Sequence, residues 1–398
     1  MRAVVCDEFG SFDKMSVKDV PEPILKPNEV LINVKAAGVS FAQSLKVAGK
    51  YQVKPPLPFI PGSEVSGIVS ALYDGVENIA VGDHIFATVA NGGFAEKVVA
   101  RSVDCKPIPE GMSFGPAVLF AISYPTSYAA LIWKAHLVPG ETILVHGAAG
   151  AIGMAAVEIA KANGARVIAT AGSDKKCAIA KNHGADLTIN YLTTDFKKAV
   201  KDWTGGKGVD IVIDPVGGNL LLDSIRAMNR ESRLVTLGYA SGSIPTPPVN
   251  LLLVKNMSII GLNFGTYVNF YKEKCFPVQQ VMRDLYKKGK LDPHLMPLFT
   301  DFRREYLFDT EVDPNELKNL VDSTHPQHLK ALTEMRAALD TWVTATGDMG
   351  WQKEPPEKIE KFRAVMYDWF GAPEWYPYKP KKSSSALEKI NQGRIIED

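Results

Sequence analysis

The chain has 398 residues, 46% of them hydrophobic and 22% charged, with 45 Lys and Arg against 44 Asp and Glu for a net charge of +1. That length holds two domains with cores of their own, and the mix is that of a globular protein. A charge this close to neutral speaks against a nucleic-acid or membrane-surface binder.

The N-terminal third reads as β-rich. "EVLINVKAAGV" alternates like a strand. "PLPFIPGSEVSGIVS" is a turn followed by a strand, and "VGDHIFATVANGGFAEKVVA" gives short strands split by Gly-Asp and Gly-Gly turns. From about residue 126 the pattern changes. "ETILVHG" is a compact apolar strand, and "AIGMAAVEIAKANG" is a helix ending at Gly164. "ARVIATAG" is a strand and "DKKCAIAKNHG" a second helix. "DLTINY" and "VDIVIDPVGG" are strands flanking a helix at "FKKAVKDWTGG", and "RLVTLG" and "SIIGLN" follow. Strands alternating with helices predict a parallel, doubly wound sheet.

Between the first two elements of that sheet lies Ala148-Ala149-Gly150-Ala151-Ile152-Gly153, an AxGxxG turn. Its small residues let backbone approach a pyrophosphate, and the helix that follows offers free N–H groups and the positive end of its dipole. By itself the turn is equally consistent with close packing; the surrounding βαβ units make it a dinucleotide site. The second strand ends Ala169-Thr170-Ala171-Gly172-Ser173, without the carboxylate that accepts from an NAD ribose. Small residues leave room for a 2′-phosphate, Ser173 can donate to it, and Lys175 or Lys176 can neutralise it. Asp174 argues mildly the other way, and the lysines are otherwise solvated residues of a helix start. The expected cofactor is NADPH.

"AAGAIG" after "ETILVHG", with "KPPLPFIPGSEVSGIV", "GGFAEKVVA", "DPVGG" and "NLLLVKNMSIIGLNFG", resembles the zinc-free quinone oxidoreductases of the medium-chain dehydrogenase/reductase superfamily over residues 1–302. The resemblance implies an α/β protein with a GroES-like β-rich catalytic domain (1–125), a Rossmann domain (126–265) and a return to the catalytic domain (266–302 and 383–398). It also implies reduction of quinones or activated alkenes with NADPH, and a homodimer. By the same resemblance Thr126 lies near the nicotinamide amide and Tyr191 against the adenosine phosphate region. Gly238, Tyr239, Ala240, Ser241 and Phe264 line the nicotinamide side, with Ala149, Gly150, Ala151, Ile152, Gly172, Ser173 and Lys176 completing the cofactor contacts.

Zinc-dependent relatives carry a Cys ligand and a Gly-His-Glu motif where this chain has Ser40 and Gly62-Ser63-Glu64. Thiolate and imidazole are both replaced, so no catalytic zinc is expected. Cys6, Cys105, Cys177 and Cys275 form no CxxC pair, and His84, His325 and His328 read as turn or surface residues. Without a Lewis acid the protein must supply orientation and a donor to the acceptor's carbonyl oxygen. Candidates in "GVSFAQSLKVAGKYQ" are Ser40, where the family often has Asn, Gln43, where it often has Asp, and Tyr51, which is otherwise a packing aromatic. Asp214 in "DPVGG" ends a buried strand and reads as structural. Enoyl-thioester reduction is the alternative substrate class, and a non-catalytic cofactor-binding or interaction protein the alternative of another kind.

The family closes near residue 330. Here "SSALEKINQGRII" at 384–396 looks like its closing helix, after about eighty extra residues. "REYLFDTEVDPNELKNL" and "HLKALTEMRAALDTWVTATGD" resemble the C-terminal tail of arylsulfatase-like hydrolases, without a Cys/Ser-x-Pro-x-Arg motif. Leu329, Leu332, Met335, Leu339 and Trp342 fall at helical spacing, so 303–382 is expected to be an inserted, mainly helical segment. "MRAVVCDEFG" has no apolar signal core and no apolar run is of membrane-spanning length, so a cytoplasmic protein is expected.

Overall fold

The computed structural model describes residues 1–293, which fall within one compact unit. The expected insert, the closing helix, the resumed catalytic segment, His325 and His328 lie outside the described residues.

The N-terminal part is built on antiparallel strands. β1 (Arg2–Val5) pairs with β2 (Ser16–Asp19). A five-stranded sheet has the order β6 (Lys97–Arg101), β3 (Glu29–Ala37), β4 (Glu64–Leu72), β5 (His84–Thr88), β7 (Cys105–Pro107). In β3 the predicted alternation is seen directly: Val30, Ile32 and Val34 are buried against Val65, Val69, Ile85 and Val98. A short helix α1 (Phe41–Val47) connects β3 to the loop before β4.

Helices α2 (Phe114–Leu119) and α3 (Ser123–Tyr128) come before the parallel sheet, so the helical segment starts ahead of residue 126. They are tied to the antiparallel sheet. Ser66 Oγ donates to the Phe114 carbonyl at 2.6 Å, and Thr88 Oγ1 to that of Ala121 at 3.2 Å. Phe86 meets Phe120 edge-on with centroids 6.1 Å apart.

The second sheet is parallel and six-stranded. Its order is β10 (Leu187–Asn190), β9 (Arg166–Ala171), β8 (Thr142–Val145), β11 (Val209–Asp214), β12 (Met228–Thr236), β13 (Ser258–Gly261). That is the doubly wound arrangement, with its switch point between β8 and β11. Every residue of β8 is buried, as a strand covered on both faces requires. Helices α4 (Ala151–Ala162), α5 (Asp174–Asn182), α6 (Phe196–Trp203) and α7 (Gly218–Ala227) connect the strands. α8 (Val249–Lys255) buries none of its residues. α9 (Phe264–Phe270) and α10 (Lys272–Lys287) follow, and Val278 and Met282 of α10 join the core around Phe86 and Phe120.

One strand starts earlier than its sequence predicts. β12 begins at Met228 rather than near Arg233, because its register on β11 shifts between Val209 and Ile211. After Met228 the extra residues there are polar, and Glu231 takes a left-handed φ of 57°, so a bulge conceals the strand's first half.

Candidate active site

The turn after β8 is tightly specified. Gly147 takes a φ of 58°, a left-handed conformation that favours glycine. The bend therefore comes from the residue before Ala148, which accounts for an alanine at the first fingerprint position. The Gly150 N–H donates to the Gly147 carbonyl at 2.9 Å, and that of Ala148 to Thr170 at 3.0 Å. A Cβ on Gly153 would lie 2.3 Å from the Gly147 oxygen, so this glycine sets the approach of α4 to the strand. Gly150 is the N-cap of α4, and no side chain caps the helix. Its first-turn N–H groups lack intrahelical acceptors. Beneath the turn His146 is fully buried, with Nδ1 2.7 Å from Thr170 Oγ1 and Nε2 2.6 Å from Ser224 Oγ. Burial pushes its pKa down to about 4, so it joins β8, β9 and α7 as a neutral ring.

The tip of β9 is assembled from the predicted residues. Ser173 caps α5, its Oγ accepting from the Lys176 N–H at 3.3 Å while its own proton remains to be donated. The Tyr191 hydroxyl rests on Gly172, 2.9 Å from where a Cβ would stand. Asp174 accepts from Asn190 Nδ2 at 2.8 Å, which ties its carboxylate to the end of β10. Across the switch point, Asp214 Oδ1 accepts from the N–H groups of Val216 and Gly217 at 2.8 and 2.9 Å and shapes the turn, as its structural reading anticipates. Gly238, Tyr239, Ala240 and Ser241 follow β12 and fold over that turn. A Cβ on Gly217 would be 2.6 Å from the Tyr239 ring, and one on Gly218 2.9 Å from Ser241 Oγ.

Thr126 lies beside the α4 turn: its neighbour Ser127 donates through Oγ to the Ile152 carbonyl at 2.8 Å. Thr126 Oγ1, Asp214 Oδ2 and Thr236 Oγ1 are buried without a hydrogen-bond partner. Such atoms are costly unless something satisfies them. Unspent helix N–H groups and unpartnered polar atoms at the carboxyl ends of the strands fit a dinucleotide. Phe264 is buried and stacks on Trp133 with centroids 6.4 Å apart. It lines a cavity of about 40 Å³ with Thr88, Ala121 and Pro125.

The predicted acceptor residues gather around α1. Ser40 is its N-cap position but makes no side-chain cap. Tyr51 is half-buried, with Lys46 Nζ 5.8 Å from its ring centroid. Gln43 has an internal task. It is 1% exposed, its Nε2 donates to Ser63 Oγ at 2.7 Å, and its Oε1 accepts from the Gly62 N–H at 3.1 Å. One N–H is left for an acceptor, and its main role here is to build the wall. Ser63 Oγ also accepts from Lys46 Nζ at 2.8 Å and donates to the Ala90 carbonyl at 3.2 Å.

Two residues of this wall were not among the predicted site residues. Lys46 is one. Glu64 is the other, 5% exposed, with Oε2 lacking a partner and a carboxyl that burial pushes up to about 7. The signal for Glu64 was its place after Gly62-Ser63; for Lys46 there was none beyond its charge.

An antiparallel GroES-like sheet joined to a six-stranded dinucleotide-binding sheet defines the medium-chain dehydrogenase/reductase class. Residues 26–110 match the alcohol dehydrogenase GroES-like domain family, and 151–277 the zinc-binding dehydrogenase family. A rat protein described as quinone oxidoreductase-like protein 2 is 40% identical over 304 residues, spanning 75% of this chain and 85% of the relative. Human quinone oxidoreductase is 34% identical over 264 residues, spanning 66% and 80%. The structure of the Escherichia coli quinone oxidoreductase complexed with NADPH superposes with a TM-score of 0.69 at 27% identity, covering 74% of this chain and 90% of that one. The chain belongs to the quinone oxidoreductase family of that superfamily.

Proposed function

We propose that this chain is an NADPH-dependent reductase of quinones or α,β-unsaturated carbonyls that works without zinc. The observation that carries the reading is the uncapped α4 turn beside the unpartnered Thr126 hydroxyl, with a β9 tip free of carboxylate. In this reading the first turn of α4 binds the pyrophosphate, Thr126 holds the nicotinamide amide, and Ser173 and Lys176 receive the 2′-phosphate. Tyr191, Gly238 and Ser241 complete the walls. A bound reduced nicotinamide supplies hydride to an acceptor that already delocalises charge. Ser40 and Tyr51 supply hydroxyl donors to the acceptor oxygen, where negative charge develops, and Gln43 holds the wall behind them.

Independence of zinc is supported by the chemistry of the replaced ligands. The Ser63 oxygen already accepts from Gln43 and Lys46 and donates to Ala90. Among the described residues no group of three His, Cys, Asp or Glu could hold a metal ion. A homodimer is supported by β13, the edge strand of the sheet among the described residues, and by neighbouring α8, whose Val249, Leu253 and Val254 are exposed. Among the described residues no helix is long and apolar enough to cross a membrane.

The test is absorbance-monitored NADPH oxidation with a panel of quinones and enones, after dialysis against a strong chelator. Turnover with at least one class, undiminished by the chelator, is expected. Stoichiometric zinc lost together with activity defeats the zinc-free reading, and silence across the panel defeats the reductase reading.

Cofactor choice is tested separately by fluorescence titration. NADPH is expected to bind at least about tenfold tighter than NADH, or about 1.4 kcal/mol. Lys176→Glu places a carboxylate beside the 2′-phosphate position and is expected to erase the difference. Equal affinities in the unmutated protein reject the assignment of Ser173 and Lys176.

A further inference from the structure

Among the described residues Lys46 is a cation without a counter-charge. It projects from α1 into the wall that carries Gln43, Ser63 and Tyr51. Its Nζ donates to Ser63 Oγ at 2.8 Å and to the Ala90 carbonyl at 2.9 Å, both neutral acceptors. An ammonium has three N–H groups, so one is left over. Among the described residues no carboxylate pairs with it; Lys201 and Lys255 also rest on neutral oxygens, but only Lys46 does so in the wall of the acceptor residues.

The environment sharpens the point. Lys46 is half-buried, and burial pushes its pKa down. Removing an ammonium from water is costly, and neutral oxygens compensate for it only in part. The face of Tyr51, 5.8 Å away, adds a weak attraction of the same sign. The unspent N–H of this half-buried ammonium marks a place where a ligand oxygen completes the set.

Resting on the reductase reading above, we propose that Lys46 is a specificity-determining residue that selects acceptors carrying a permanent anionic group, a carboxylate or sulfonate remote from the reducible carbonyl. Its third N–H pairs with that anion. A permanent anion is favoured over the developing charge of the reaction because the ammonium needs its counter-charge in the resting site as well. The anion then contributes to ground-state binding and changes KM more than kcat.

The experiment compares benzylideneacetone, a neutral enone, with its para-carboxylate. Binding of each to the full-length protein is measured by calorimetry, and turnover with NADPH alongside it. Lys46→Met is expected to raise the Kd and KM of the carboxylate at least about tenfold more than those of the neutral enone, which reads any general change in the wall. Lys46→Arg keeps the charge and is expected to retain most of the preference. In the unmutated protein, added salt weakens the carboxylate alone.

Equal changes for both enones overturn the proposal, as does no change for either. A fall in kcat on both enones at constant KM also overturns it, and moves Lys46 to the developing oxyanion. If Lys46→Met does not fold, the Arg variant and the salt series decide, and a salt-insensitive carboxylate Kd is then the negative result. Because binding is read without turnover, failure of both enones as substrates counts against the reductase reading and leaves the lysine tested.

Discussion

Gly153→Ala is expected to weaken NADPH binding at least about tenfold and to lower the stability of the cofactor-free protein by about 2 kcal/mol. The added Cβ would sit 2.3 Å from the Gly147 carbonyl oxygen and 2.6 Å from Ala148 Cα. Both are backbone atoms, so neither can swing aside, and the turn itself must shift. That turn holds α4 over β8 and aims the first N–H groups of the helix, so fold and binding are damaged together. Gly150→Ala is the informative contrast. Its φ of −82° suits any residue, and its Cβ would lie 3.3 Å from the same Gly147 oxygen, a full ångström farther than for Gly153, so a shift of a few tenths relieves it. Alanine there would instead occupy the approach to the pyrophosphate. Stability near that of the unmutated protein with weakened NADPH binding is expected for Gly150→Ala, and loss of both for Gly153→Ala. Denaturant unfolding without cofactor and fluorescence titration separate the two. If both variants bind NADPH normally, the turn is a packing device and the cofactor site lies elsewhere.

The parallel sheet was legible because its strands are short apolar runs and each is followed by a helix start or a glycine. β8, β9, β10, β11 and β13 fall where the sequence places them. α7 and α8 were not marked. α7 begins on Gly217-Gly218, residues that read as a turn, and α8 is a seven-residue helix whose only core contacts are the partly buried Leu251 and Leu252, too short a pattern to mark a helix. The cofactor side of the proposed site could be read from the sequence for a related reason. A dinucleotide is bound largely by backbone and small residues at fixed offsets, and those offsets are visible in one dimension. The acceptor side could not, because its character comes from cross-chain contacts. Gln43 becomes a wall residue only through Gly62 and Ser63, twenty residues on. Lys46 is notable only for its neutral partners, one of which is forty-four residues away. The GroES-like sheet and its helices also decide the state of Glu64, which in the sequence is an ordinary carboxylate.

Glu64→Gln is expected to remove a large pH dependence of stability. Glu64 opens β4 opposite Thr88, with its side chain laid over Gly38: a Cβ there would be 2.5 Å from Glu64 Cγ. Oε2 is buried without a partner, and burial pushes the carboxyl from 4.5 up to about 7. Lys46, a cation of this wall, is directed to Ser63 and Ala90 instead. A carboxyl raised in the folded state is protonated there while the unfolded chain has already released its proton. Its contribution is therefore fully present below about pH 4.5 and is lost as the pH rises to about 7. The loss is on the order of 3 kcal/mol across that window, since each pKa unit is worth about 1.4 kcal/mol. Glutamine cannot ionise, so it removes the slope whatever the fixed cost of burying its amide. Urea unfolding of both proteins at pH 4.5 and pH 8 reads this directly. The unmutated protein should lose stability relative to the variant between the two, by up to about 3 kcal/mol. Parallel pH profiles would mean that Glu64 ionises in the folded chain without penalty, and that water or a cation reaches its Oε2.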